Sequence, residues 1–118
     1  MNKYICHITS AHRRYDIRIF VKECATLVKA GCTVSLIVAD DLADEIKDGV
    51  AIYSVGKQNS RIKRMLKTPQ QIYTKVLELK PDAVHLHDPE LLPTGLKLAK
   101  HGFKVVNCPS AGQYLRYG

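Results

Sequence analysis

The run from Thr33 to Ala39 sets the strongest constraint on the fold. Its apolar residues Val34, Leu36, Ile37 and Val38 are nearly continuous instead of alternating, the pattern of a strand covered on both faces by the helices of a parallel sheet. Such a strand needs companions and crossover helices, and the flanking sequence supplies both. Tyr4 to Thr9 is a first strand, with Ile5, Cys6 and Ile8 apolar. Asp16 is placed to cap a helix whose apolar residues Ile17, Phe20, Val21, Cys24, Leu27 and Val28 recur every three or four positions before Gly31.

Beyond Asp40-Asp41, the segment Leu42 to Asp48 is expected to form one or two helical turns, and Val50 to Val55 a third strand. Lys57 to Lys67 reads as a basic amphipathic helix, with Ile62, Met65 and Leu66 on one side and Arg61, Lys63, Arg64 and Lys67 away from it. Thr68-Pro69-Gln70-Gln71 has the form of a capping box with Pro at the first helical position, so a second helix is expected from there to Pro81. Asp82 to His87 is the fourth strand. A helix irregular near Pro93 runs from Asp88 to Gly102, and Phe103 to Val106 is the fifth strand. This succession predicts an α/β fold: a Rossmann-like three-layer domain with a mostly parallel five-stranded sheet in the order 3-2-1-4-5. Residues 1–106 form the domain and 107–118 an irregular tail.

At 118 residues the chain makes one domain. No apolar run approaches the ~20 residues of a membrane span, and the start lacks the apolar core of a signal peptide; the expected location is cytoplasmic. Cys6, Cys24, Cys32 and Cys108 are scattered without a Cys-x-x-Cys pair, as reduced core thiols are. The net charge of +7 points to anionic company. Nucleic acid is the least suited partner, because no aromatic-basic interleaving or recognised binding module accompanies the charge.

In the expected strand order the loop after Thr9 and the turn at His87-Asp88 meet at the topological switch point, where open parallel sheets bind ligands. His12, Arg13 and Arg14 stand just before a helix N-terminus, a combination that holds phosphate or carboxylate, unless they form only a solvated loop. Dinucleotide and Walker-type loops are absent. His85 and His87 lie two apart and share a strand face, with Asp88 adjacent. They are either part of a metal site completed by His7, His12, Asp40 or Asp41, or a core histidine and a strand-end histidine beside a helix-capping Asp88.

Two long motifs carry a resemblance. The run from Ile8 to Glu23, with Thr9-Ser10-Ala11-His12 and Tyr15-Asp16-Ile17-Arg18-Ile19-Phe20, is similar to the N-terminal signature of group-1 (family 4) glycosyltransferases. His85-Leu86-His87-Asp88-Pro89-Glu90-Leu91-Leu92-Pro93 resembles the strand-four motif of the same subgroup, and Ile52 to Gly56 with the basic helix is a looser match. The resemblance implies the N-terminal half of a GT-B fold, which receives a glycan or lipid-linked acceptor. His12, Arg13, Arg14, Asp16, His87, Asp88 and Glu90 would line the interdomain cleft. A nucleotide-sugar donor would bind a C-terminal domain carrying Glu-x7-Glu, absent from this chain, which itself needs no cofactor. Transfer in this family is retaining and usually independent of a metal, which counts against the His-x-His metal reading. Arg61, Lys63, Arg64 and Lys67 would form a peripheral contact with an anionic membrane. The family's Tyr-Asp-x-His-Glu after strand five is replaced by Asn107-Cys108-Pro109-Ser110-Ala111. The expectation is an incomplete acceptor-side domain without catalysis of its own; the alternative is a Rossmann-like module recruiting a partner or membrane through its basic helix.

Overall fold

The computed structural model describes residues 3–10, 14–107 and 115–117. They form an α/β domain around a mostly parallel sheet. The strands are β1 (Tyr4–Ile8), β2 (Thr33–Val38), β3 (Glu45–Lys47), β4 (Val50–Ser54), β5 (Ala83–Leu86), β6 (Lys104–Asn107) and β7 (Leu115–Tyr117), in the order β3-β4-β2-β1-β5-β6-β7. The five strands foreseen from sequence keep their expected succession and are parallel throughout. The sheet nevertheless has seven strands, because β3 and β7 add antiparallel edges. The arrangement is compatible with a Rossmann-like domain.

The helices are α1 (Ala25–Lys29), α2 (Arg61–Leu79) and α3 (Leu92–Lys100), with a π-helical stretch, Ile17–Cys24, leading into α1 and a 3₁₀ turn, Pro89–Leu91, leading into α3. Strand alternation divides the core. Cys6, Ile8, Ile37, Val84 and Leu86 face α2 and α3 through Ile72, Val76 and Leu98. Val34, Leu36, Val38, Val50 and Ile52 face the π-helical stretch through Ile19, Phe20 and Cys24. Both faces of β2 are thereby buried, as its unbroken apolar run requires. Gly95 permits the close approach of α3, since a Cβ there would lie 2.4 Å from Leu86 Cδ1.

Three expectations are corrected. Leu42 to Asp48 is not helical: β3 turns through Asp48-Gly49 into β4, with φ of 51° and 81° at the two turn residues. Asp-Gly with two positive φ angles is the tight hairpin connection that matches strand twist, and it prevails over the weak helical pattern. Residues 57–81 do not form two helices. Ser60 Oγ accepts the Lys63 amide at 3.1 Å, and one helix runs from Arg61 through Pro69 to an αL cap at Lys80. Pro69 lies inside this helix, and the carbonyl it deprives of a partner belongs to Met65, a residue 64% exposed. Thr68, read as a cap, is buried inside this helix. Finally, the tail is not wholly irregular, since Leu115–Tyr117 pairs with β6.

Asp16 behaves as expected, accepting the Ile19 amide on Oδ1 at 3.0 Å. Cys6 and Cys24 are free and buried, and burial pushes both thiols up to about 12, so they are unreactive core groups. Cys108 lies outside the described residues. Among the described residues no helix is long and apolar enough to cross a membrane.

Candidate functional site

The ends of β1 and β5 are joined by a carboxylate. Asp88 Oδ2 accepts the Ser10 amide at 2.6 Å and the Thr9 hydroxyl at 2.7 Å. The sequence offered Asp88 as a cap for the following helix, yet its side chain makes no capping bond there. It ties the loop after β1 to the end of β5, and His87 N extends the ladder by donating to Ile8 O at 3.1 Å. Ser10 Oγ lies 2.5 Å from Glu90 Oε1 and 3.4 Å from Asp88 Oδ2, so its single proton goes to Glu90. Glu90 in turn accepts from Arg64 at 3.1 Å. A residue expected to line a cleft and one expected to meet a membrane are therefore joined by an ion pair.

His7, His85 and His87 stand on the sheet face covered by the π-helical stretch. Cys6, Ile8, Val84 and Leu86 point the other way, and His7 and His85 are register partners. His7 Nδ1 lies 2.8 Å from His87 Nε2, with ring centroids 5.0 Å apart. A centroid separation that much larger than the N···N distance means that these two rings meet edge to edge. His85 stacks on His87, at 4.3 Å between centroids. His7 and His87 are buried, and desolvation followed by the neighbouring His85 pushes His7 down to about 3, so it is neutral. The π-helical stretch brings Glu23 Oε2 to 3.6 Å from His87 Nδ1.

Arg14, expected to greet an anion, is committed within the fold. Its Nε and Nη2 grip Asp40 at 2.7 and 2.8 Å, while Nη1 reaches Ala43 O and Glu45 Oε2, each at 2.8 Å, and its side chain is only 3% exposed. The bidentate guanidinium holds the Asp40 carboxyl below its usual range. The Tyr15 hydroxyl, and then Arg14, do the same for Glu45. Arg14 thus supplies a buried strut between the first loop and the β3 hairpin. Beside it Tyr15, Asp16, Ile17, Lys22 and Leu42 border an open groove of about 850 Å³. His12 and Arg13 lie outside the described residues.

Arg61, Lys63, Arg64 and Lys67 are all exposed on the first two turns of α2. So are Ile62 (71%), Met65 (64%) and Leu66 (71%), which pack against nothing that buries them. The sequence reading put Asp88 and His87 at the end of the fourth strand beside the first loop, where they stand, but expected them to line a cleft, whereas both are buried; it did not single out Thr9, Ser10 or Glu23. Taking strands one and four as neighbours already brought the loop after Thr9 to Asp88, and the need of a buried carboxylate for donors was the signal that could have picked out Thr9 and Ser10. Glu23 could not, because the π-helical phase departs from the 3.6-residue spacing on which helix-face reasoning depends.

No protein-family model matches this chain, and no curated protein matches it.

Proposed function

We propose that this chain is the acceptor-binding, N-terminal part of a retaining glycosyltransferase that moves a sugar from a nucleotide-sugar donor to a glycan or lipid-linked acceptor. The observation that carries the reading is the Asp88 clamp on Thr9 and Ser10. It joins the two stretches that resemble family-4 enzymes at the carboxyl ends of adjacent parallel strands, β1 and β5. These strands lie at the switch point of the sheet, where chain order reverses and such sheets take their ligands. Glu90 and the groove beside Asp16 would face the acceptor, with Ile17 and Leu42 offering apolar wall to a lipid-linked one. The donor domain has to be supplied by other residues, so the chain alone is not expected to transfer sugar. The test supplies a separately purified family-4 donor domain in trans and follows both sugar transfer and acceptor-induced amide shifts. Shifts at Ser10, Asp88 and Glu90, with transfer only in the mixture, support the reading; neither transfer nor binding of either substrate overturns it.

A second reading, recruitment to an anionic membrane, is favoured by one observation: the exposed stripe Ile62, Met65 and Leu66 flanked by four cations. Apolar side chains buried at a lipid surface, with about 1 kcal/mol of attraction per basic residue, suit an interfacial helix. Reversing Arg61, Lys63 and Lys67 to Glu should lower cosedimentation with vesicles containing phosphatidylglycerol by at least about tenfold. Unchanged partitioning rules out this surface.

A further inference from the structure

The structure assigns a second chemistry to the face of the sheet opposite α2 and α3: we propose that His7, His85 and His87 form a binding site for a divalent transition-metal ion of the Zn²⁺ class, with Glu23 backing His87. One potential ligand atom from each of the three imidazoles lies within 4.8 Å of the others. Their convergence is built into the backbone, since His7 and His85 are register partners on adjacent strands and His87 follows on the same face.

The His7–His87 contact has the form of an ion site holding a proton. At 2.8 Å, Nδ1 of His7 and Nε2 of His87 share one hydrogen. A carboxylate beside His87 Nδ1 favours a proton on that nitrogen, which directs the Nε2 lone pair toward His7. Carboxylate, imidazole and metal in that order are the usual outer and inner shells of a histidine-ligated ion. Zn–N bonds of about 2.0–2.1 Å at a tetrahedral angle put two ligand nitrogens about 3.3 Å apart. The pair therefore has to open by only about half an ångström, and the stacked His85 ring joins by rotating its side chain. His7 Nε2 is buried with no hydrogen-bond partner among the described residues, so Nδ1, the nitrogen turned toward His87, is the one through which this ring is engaged.

An all-imidazole set selects Zn²⁺, Co²⁺, Ni²⁺ or Cu²⁺ over the oxygen-seeking Mg²⁺ and Ca²⁺. Three protein nitrogens leave a fourth position open to water or another ligand. This site does not depend on the transferase reading, and no sugar is needed to test it.

The full 118-residue chain, stripped with EDTA and dialysed, is titrated with Co²⁺ and then with Zn²⁺ alone. One Co²⁺ per chain, with the visible absorption of a four-coordinate site and displacement by Zn²⁺, is the expected result. In the unmutated protein, ring-nitrogen resonances of His7, His85 and His87 should move on Zn²⁺ addition. His85→Gln and His87→Gln should each weaken binding on the order of 100-fold, and Glu23→Gln by about 10–100-fold; His101→Gln should leave it unchanged. No stoichiometric ion on the folded unmutated chain, affinity unaffected by His87→Gln, or ring shifts confined to other histidines overturns the proposal. The ring shifts decide the matter even where a histidine variant fails to fold.

Discussion

Arg14 and His7 are both polar side chains buried near the carboxyl edge of the sheet, and their surroundings could hardly differ more. Four hydrogen bonds from the Arg14 guanidinium run to two carboxylates and a carbonyl. His7 has one partner at Nδ1 and none among the described residues at Nε2. A buried polar group with its bonds satisfied is structural, holding elements in register; one with spare bonding capacity costs stability unless something else uses it. By this contrast the Arg14 site belongs to the fold, while the His7 site keeps spare bonding capacity of the kind the proposed ion site needs, although the sequence presented both as candidate ligand groups.

The largest effect expected is at Arg14. Arg14→Met leaves Asp40 and Glu45 facing each other without their cation. Removing one member of a buried pair costs about 3–5 kcal/mol, but the partly exposed carboxylates recover some hydration, so about 2–3 kcal/mol is expected in urea unfolding. His7→Gln, which removes a single imidazole bond, should cost less than about 1.5 kcal/mol. If the two losses prove equal, the division into structural and functional sites fails.

The same contrast predicts a pH signature. Asp40 is held below its ordinary 3.8 chiefly by the Arg14 hydrogen bond. As pH falls through 3.8 the unfolded chain binds this proton first, so the contribution of Asp40, complete above that value, drains away until the folded carboxyl titrates as well. Glu45 shifts in the same direction from its ordinary 4.5. Urea midpoints measured at decreasing pH should therefore fall steeply below about pH 4 in the unmodified protein and more gently in Arg14→Met. Parallel curves would show that Arg14 does not set the acid limb.

Much of this was legible beforehand. Continuous apolar runs and the Asp16 cap followed from local pattern, because each depends on residues close in sequence; the order of the five parallel strands followed from general rules of α/β succession, and the antiparallel edges β3 and β7 did not. The β3 hairpin had a local signal too, Asp48-Gly49, which the expectation of helical turns over Leu42 to Asp48 left out. The function of Arg14 was not legible: its partners Asp40 and Glu45 stand 26 and 31 positions away, and only the folded hairpin brings them to it. Asp88 was placed correctly with the wrong partners for the same reason, since Thr9 and Ser10 are 79 and 78 positions distant.

The smallest expected effect lies at the link between the exposed helix and the clamp. Arg64 and Glu90 pair at 3.1 Å, but both are exposed to solvent, so the ion pair gains little over hydration. Arg64→Gln should change stability by less than about 0.5 kcal/mol. Its visible consequence belongs to Ser10, whose hydroxyl shares Glu90 Oε1 with Arg64. Loss of the cation makes Glu90 a stronger acceptor for Ser10, and the Ser10 amide resonance should move while that of Ile37, on the far side of β1, stays in place. A stability loss above about 1 kcal/mol would put Glu90 with the saturated, structural type of site that Arg14 represents. A stability change near zero with an altered Ser10 signal keeps it with the responsive one, where contacts made by α2 reach the residues gathered around Asp88.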